Sequence, residues 1–257
     1  MEFKVDQAEG HVFPRLSVKA RDEIVTLGEE APPELTGHFL EPAAWKEMLK
    51  DPRALILDIR NDYEFEIGRF EGAIRPDVQT FKEFPEWLNR TLQGNEDRPI
   101  LTYCTGGIRC EKLTAYLRKE GFDNIYQLHG GIVTYGKETD GAGWQGECFV
   151  FDDRVSVPIS ESAEAVASCH HCRAMTSRYQ NCAAVDCNRL YVCCEECART
   201  NDHCCSAECQ TSPRQRETRS KLAPALRSEG VKIRRQRYRA NLRGKRRAKG
   251  ETSPPTG

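Results

Sequence analysis

Eight cysteines between residues 169 and 209 form four close pairs, Cys169-x2-Cys172, Cys182-x4-Cys187, Cys194-x2-Cys197 and Cys205-x3-Cys209. This spacing constrains the segment more than anything else in it. Its only compact apolar run is Leu190-Tyr191-Val192, too little for hydrophobic burial alone to fold it. Four tight turns with two thiolates each suit two tetrahedral sites, so two structural Zn2+ ions are expected, their binding free energy being also folding free energy. A disulfide scaffold and a redox or iron–sulfur role compete with that reading. Disulfides require an oxidising compartment, whereas residues 1–10 lack the basic, apolar-cored pattern of a signal segment. No apolar run is long enough for a membrane helix, and a cytoplasmic protein is expected. Ligand pairing stays open. Alternating pairs, Cys169/Cys172 with Cys194/Cys197 and Cys182/Cys187 with Cys205/Cys209, knit the segment together, and sequential pairing makes two beads. Cys193 and Cys204 are spares, and His170, His171 and His203 read as bystanders at exposed turns.

Upstream, Pro99-Ile100-Leu101-Thr102-Tyr103 reads as a buried strand, and Leu113, Tyr116 and Leu117 mark one face of a helix stopped by Gly121. Between them lies Cys104-Thr105-Gly106-Gly107-Ile108-Arg109. A thiol at such a join faces a nest of backbone N–H groups and the positive end of a helix dipole, and both favour thiolate. Cys104 is therefore the candidate nucleophile, Thr105, Gly106, Gly107 and Ile108 its loop, and Arg109 the residue expected to hold the loop or an anionic substrate. The bland alternative is an inert thiol at an ordinary strand-to-helix turn. Residues 54–60 are a second apolar run that ends in charge, as a parallel strand does where it reaches a site, which makes Asp58 and Arg60 supporting candidates. Cys110 is a second thiol for disulfide exchange or a packing residue at the helix start.

The order of elements predicts the fold class. Helices are expected over 42–50, 81–92, 110–120 and 131–137, and strands over 55–59, 100–103 and 125–127. This βα alternation argues an α/β doubly wound, mostly parallel sheet with the site at the strands' C-terminal edge. Arg15–Val25 and Phe149-Val150-Phe151 are further strand candidates, with Trp144 and Cys148 read as core. Ala31-Pro32-Pro33 breaks residues 1–30, a remnant or linker, from a domain over 31–140. An extension and linker over 141–168 leads to the cysteine-rich zinc module 169–210 and a tail, 211–257, expected to be disordered.

The run from Asp58 to Ile74 (DIRNDYEFEIGRFEGAI), the Cys104 loop and Leu128-His129-Gly130-Gly131-Ile132 together resemble the rhodanese homology domain over about residues 35–140. That resemblance implies that the loop's first cysteine, Cys104, attacks a sulfane sulfur and becomes a persulfide. Cys104 to Arg109 spans six residues, as in sulfur-handling rhodaneses. Related phosphatases and arsenate reductases close a seven-residue loop with arginine, and here that position is Cys110, so a phosphate lacks its bidentate partner.

Four blocks in order, Arg15–Val25 (RLSVKARDEIV), Phe81–Trp87 (FKEFPEW), Tyr103–Lys112 (YCTGGIRCEK) and Trp144–Asp152 (WQGECFVFD), are similar to the bacterial-type tRNA uridine hydroxylase family. The resemblance implies an oxidoreductase that uses molecular oxygen and a rhodanese-type cysteine, Cys104, to introduce oxygen at C5 of the wobble uridine, with tRNA as partner. Members usually carry a small α/β domain before the first block, and this chain starts almost at that block with only a remnant. The cysteine order also resembles the family's C-terminal region, with Cys193 as an extra. Two alternatives stand beside it: a sulfurtransferase passing a Cys104 persulfide to a thiol acceptor, and a non-catalytic adaptor that binds RNA or protein.

Charge is segregated along the chain. Residues 211–257 carry 15 Lys and Arg against three acids, and the rest carries 23 against 36, so the net charge of −1 hides a strong dipole. Arg234, Arg235, Arg237, Arg239, Arg243, Lys245, Arg246 and Arg247 can neutralise phosphates, and Tyr238 can stack on an unpaired base. An acidic body repels tRNA, so a basic element is expected to recruit it. The alternative is a solvated tail that contacts nothing specific.

Overall fold

Leu57, Ile59 and Ile100 are buried in one apolar cluster, and Ile56, Leu101 and Tyr103 in another. Neighbours in one strand that bury to opposite sides mark a sheet covered on both faces. The computed structural model describes residues 10, 12–13, 18, 20–21, 23–78 and 80–216. Its elements are β1 (His38–Leu40), α1 (Pro42–Met48), β2 (Leu55–Asp58), α2 (Asp62–Ile67), β3 (Gly68–Phe70), α3 (Phe84–Leu92), β4 (Ile100–Tyr103), α4 (Ile108–Lys119), β5 (Ile125–Leu128), α5 (Gly131–Thr139), β6 (Trp144–Phe149), β7 (Ser156–Pro158), β8 (Tyr179–Asn181), β9 (Leu190–Val192), α6 (Glu195–Thr200) and α7 (Ala207–Gln210).

The main sheet is parallel, in the order β1-β5-β4-β2, with Leu55 beside Ile100 and Ile100 beside Ile125. Phe84, Leu88 and Leu92 of α3 and Leu113 and Leu117 of α4 pack into one cluster, and Trp45 of α1 with Ile132 and Tyr135 of α5 into the other. Each such side chain, fully buried, contributes about 1.5–3 kcal/mol. This is the doubly wound α/β frame that the sequence predicts. Its interior strand β4 runs into Cys104, which puts the loop at the sheet's C-terminal edge.

Three differences from the expected elements have physical causes. The helix predicted over 110–120 begins at Ile108, because Gly107 takes φ 94° and serves as its N-cap. The strand predicted at Phe149–Phe151 ends at Phe149, since the Val150 N–H bonds to the Val155 carbonyl and turns the chain. That strand, β6, is the centre of an antiparallel sheet β3-β6-β7 that the sequence reading did not foresee. The Arg15–Val25 block lies partly outside the described residues, and those of it that are described form no strand.

The described chain divides into two units, one of residues up to Gln180 with Leu190–Thr200, the other of Asn181–Arg189 with residues from Asn201 onward. Within the first, Ile67, Phe149, Ala167, Tyr179 and Val192 form their own apolar cluster. No helix among the described residues is long and apolar enough to cross a membrane.

Candidate active site and cysteine centres

Cys104 is 2% exposed, and its Sγ accepts the Gly107 N–H at 3.1 Å. The left-handed backbone at Gly107 aims that N–H at the sulfur, in a region that L side chains rarely adopt. On its other side the loop is pinned by α5, where the Ile132 N–H donates to the Cys104 carbonyl at 3.0 Å and the Val133 N–H to the Thr105 carbonyl at 3.3 Å. Those bonds hold the loop's first two carbonyls against the start of α5. The fit admits nothing larger than glycine at position 131, where a Cβ would stand 2.6 Å from the Thr105 oxygen and 2.7 Å from that of Cys104.

Electrostatics follow from this geometry. Burial pushes the Cys104 thiol up, but a hydrogen bond from the Cys110 side chain, the charge of Arg109 and the backbone N–H groups of Cys110 and Arg109 outweigh it. The result is a thiol lowered to about 5, and so a thiolate at neutral pH. Cys110 behaves oppositely. Fully buried and facing the Cys104 charge, it is held well above the ordinary thiol range and stays protonated, donating to its neighbour. Cys148, also fully buried, is lifted to about 12 by burial and sits in the core as the sequence predicts.

A cavity of about 380 Å3 opens at the sulfur, with Val25, Phe81, Ile108 and Phe151 as apolar walls and Arg109 at its side. That volume falls in the ~300–1,000 Å3 range of small-molecule sites. Arg109 does not stand free there. Its Nη1 donates to Glu64 Oε2 at 2.6 Å and its Nη2 to Glu64 Oε1 at 2.9 Å, with the Thr105 hydroxyl 3.3 Å from Nη2. The sequence leaves Arg109 two roles, holding the loop or an anionic substrate; in the structure its guanidinium links Thr105 of the loop to Glu64 of α2.

Glu64 escaped the sequence reading as a site residue, although its signal is present. It is the N3 residue of a capping box in which its Oε2 accepts the Asn61 N–H at 3.1 Å. A capping acid that is also fully buried needs a cation, and Arg109 is that cation. Asp58 and Arg60 form a separate, fully buried ion pair, Nε to Oδ1 at 2.9 Å and Nη2 to Oδ2 at 2.5 Å, while the same Nη2 donates to the Gly68 carbonyl at 2.6 Å. Their bonds tie the end of β2 to β3 and do not reach the cavity wall.

The cysteine pairs meet in alternation. The sulfurs of Cys169, Cys172, Cys194 and Cys197 lie within 4.8 Å of one another, as do those of Cys182, Cys187, Cys205 and Cys209. The sulfurs stand 3.7 Å apart for Cys172–Cys194, 3.6 Å for Cys187–Cys205 and 3.8 Å for Cys205–Cys209. Four thiolates ~2.3 Å from one ion stand ~3.8 Å apart along a tetrahedron's edges, whereas a disulfide is ~2.05 Å long. Both groups could hold a metal ion. The first lies within one unit and the second within the other. Cys193, Cys204, His170, His171 and His203 belong to neither group. The tail residues singled out for RNA, from Arg234 to Arg247, lie outside the described residues.

A parallel α/β sheet whose interior strand delivers a thiolate into a glycine-rich loop defines a rhodanese-type protein. Residues 41–138 match the rhodanese-like domain family, and residues 145–210 the rhodanase C-terminal family. A tRNA uridine(34) hydroxylase of Protochlamydia amoebophila is 47% identical over 220 residues, covering 84% of this chain and 69% of the relative. One of Chlamydia felis is 45% identical over 219 residues, 83% of this chain and 67% of the relative. The rhodanese-like domain of an Anabaena sp. protein, 22% identical, covers 42% of this chain and 77% of its own, with a TM-score of 0.34. The chain thus belongs to the tRNA uridine(34) hydroxylase family, a family of enzymes, and spans about two thirds of the length of these curated relatives.

Proposed function

We propose that this enzyme hydroxylates the wobble uridine of tRNA at C5, with molecular oxygen as co-substrate and Cys104 as the residue that forms the covalent intermediate. The observation that carries the reading is the 45–47% identity, over more than four-fifths of the chain, to relatives named for that activity. The apolar cavity at the Cys104 thiolate supports it chemically. An anticodon base is already unpaired, so it can enter such a pocket without a duplex being opened. Mass spectrometry of tRNA nucleosides from cells with and without the gene tests this. Loss of 5-hydroxyuridine-type products in the deletion, restored by the gene, is expected; an unchanged profile in a strain with no second source of the product would sink it.

The six-residue loop and the thiolate also favour a second reading, sulfur transfer through a Cys104 persulfide to a thiol acceptor. Thiosulfate-to-cyanide transfer with no change in tRNA would favour it. In either case the two cysteine groups are assigned to two structural Zn2+ ions, since thiolate-only tetrahedral sites suit that ion.

Recruitment of tRNA falls to the basic residues 211–257. Deleting them is expected to weaken binding alike for different tRNAs and to flatten the dependence of affinity on salt, because counterion release scales with the phosphate contacts removed. Equal affinity and equal salt slope without the tail would move the RNA surface to the folded domains.

A further inference from the structure

Arg109 is the cation nearest the reactive thiolate, and in a sulfurtransferase or phosphatase such a residue would face the substrate's negative charge. Here three sides of it are taken. Glu64 occupies Nη1 and Nη2 at 2.6 and 2.9 Å, Thr105 shares Nη2, and the Phe151 ring lies 5.8 Å from Cζ. The Arg109 side chain keeps 13% of its surface, and the Glu64 carboxylate none. With Cys104 ionised, the thiolate, guanidinium and carboxylate leave the site one charge negative.

We propose that Glu64 sets the pocket's specificity: by pairing the guanidinium edge of Arg109 it turns an anion-binding arginine into a neutral wall, so that the pocket takes an uncharged planar ring, a nucleobase, and refuses small oxyanions. Glu64 touches no substrate and acts through Arg109 as a positioning residue. The apolar walls, Val25, Phe81, Ile108 and Phe151, agree with this, since a desolvated anion facing them would lack a counter-charge. The inference rests on the nucleobase reading of the site, yet it is tested without tRNA.

The test compares alkylation of Cys104 by iodoacetamide, which is neutral, and by iodoacetate, which is anionic, at pH 7, with the modified peptide quantified by mass spectrometry. In both reactions the thiolate forms an S–C bond and iodide leaves, so only the reagent's charge differs. Wild type is expected to disfavour iodoacetate more strongly than free cysteine does. Glu64→Gln keeps the side chain's size and an acceptor for Asn61 while removing one negative charge, and is expected to raise the iodoacetate-to-iodoacetamide rate ratio about tenfold or more. A purely structural role would change both rates together and leave the ratio alone, and an unchanged or lowered ratio overturns the proposal. If the variant does not fold, wild type decides. Millimolar thiosulfate is expected neither to slow iodoacetamide labelling nor to add a sulfur to Cys104, and protection or a persulfide mass overturns the proposal. Either result can stand while the nucleoside profile goes the other way, so the two readings fail separately.

Discussion

Cys104→Ser is expected to abolish the 5-hydroxyuridine product, and in the wild type the same thiol is expected to be alkylated with a pH midpoint near 5. The two results share one cause. The Gly107 N–H at 3.1 Å, the Arg109 charge and the protonated Cys110 side chain stabilise an anion at this position, and they lower the thiol to about 5 against burial that opposes them. A serine hydroxyl in the same nest stays neutral, because its ordinary acidity is too weak for stabilisation of that size to ionise it near neutral pH. The sign follows from the direction of the shift. Above pH 6 the labelling rate should be nearly flat, and below pH 5 it should fall about tenfold per unit as the thiolate is protonated. An ordinary thiol would give a midpoint near ~8.5 and a rate still rising at pH 8. Cys110 and Cys148, both fully buried and pushed upward, should remain unlabelled in the folded protein. Labelling by peptide mapping across pH 4–9 distinguishes these outcomes, and retention of product by the serine variant would remove Cys104 from the chemistry.

What the sequence disclosed and what it hid divide along a physical line. The parallel sheet was legible because β2, β4 and β5 are apolar runs alternating with helices, and the candidate nucleophile because a cysteine between strand and paired glycines has few structural uses. Hidden were β1 and β3, each three residues long and too short to show a period. The pairing of Glu64 with Arg109 was hidden for another reason. The two stand 45 positions apart, and each taken alone reads as an ordinary helix-start acid or loop cation. Local signals name the groups; only the fold decides which charge answers which. The cysteine pairs show the same limit, since spacing within a pair was plain and the alternation between pairs needed the chain's path.

Removing zinc should unfold the two cysteine groups and spare the parallel sheet. Reduced protein is expected to carry close to two zinc ions per chain, with Cys172→Ser losing the first and Cys187→Ser the second. Each group closes short turns around its sulfurs, with Arg173 in the left-handed region after Cys172 and Asn188 likewise after Cys187. Such turns gain little from apolar burial, so a bound ion is expected to supply their order, and apparent binding of about 10–16 kcal/mol at pH 7 is what thiolate-rich zinc peptides show. The parallel sheet instead buries Leu57, Leu88, Ile100 and Leu113 in a core that includes none of the eight cysteines. A strong chelator should therefore expose residues 169–209 to protease while the fragment carrying Cys104 persists. In the first unit the effect should extend one step further. The Tyr179 hydroxyl of β8 lies 2.7 Å from Glu66 Oε2 and 2.9 Å from the Tyr63 carbonyl, its one hydrogen shared between two acceptors on α2, the helix that carries Glu64. Losing the first ion should loosen that hold, and Cys172→Ser should shift the Cys104 labelling midpoint downward, because Glu64 then neutralises less of the Arg109 charge that stabilises the thiolate. A chelated protein whose residues 169–209 stay as protease-resistant as before would show that burial alone folds the segment and would end the zinc reading.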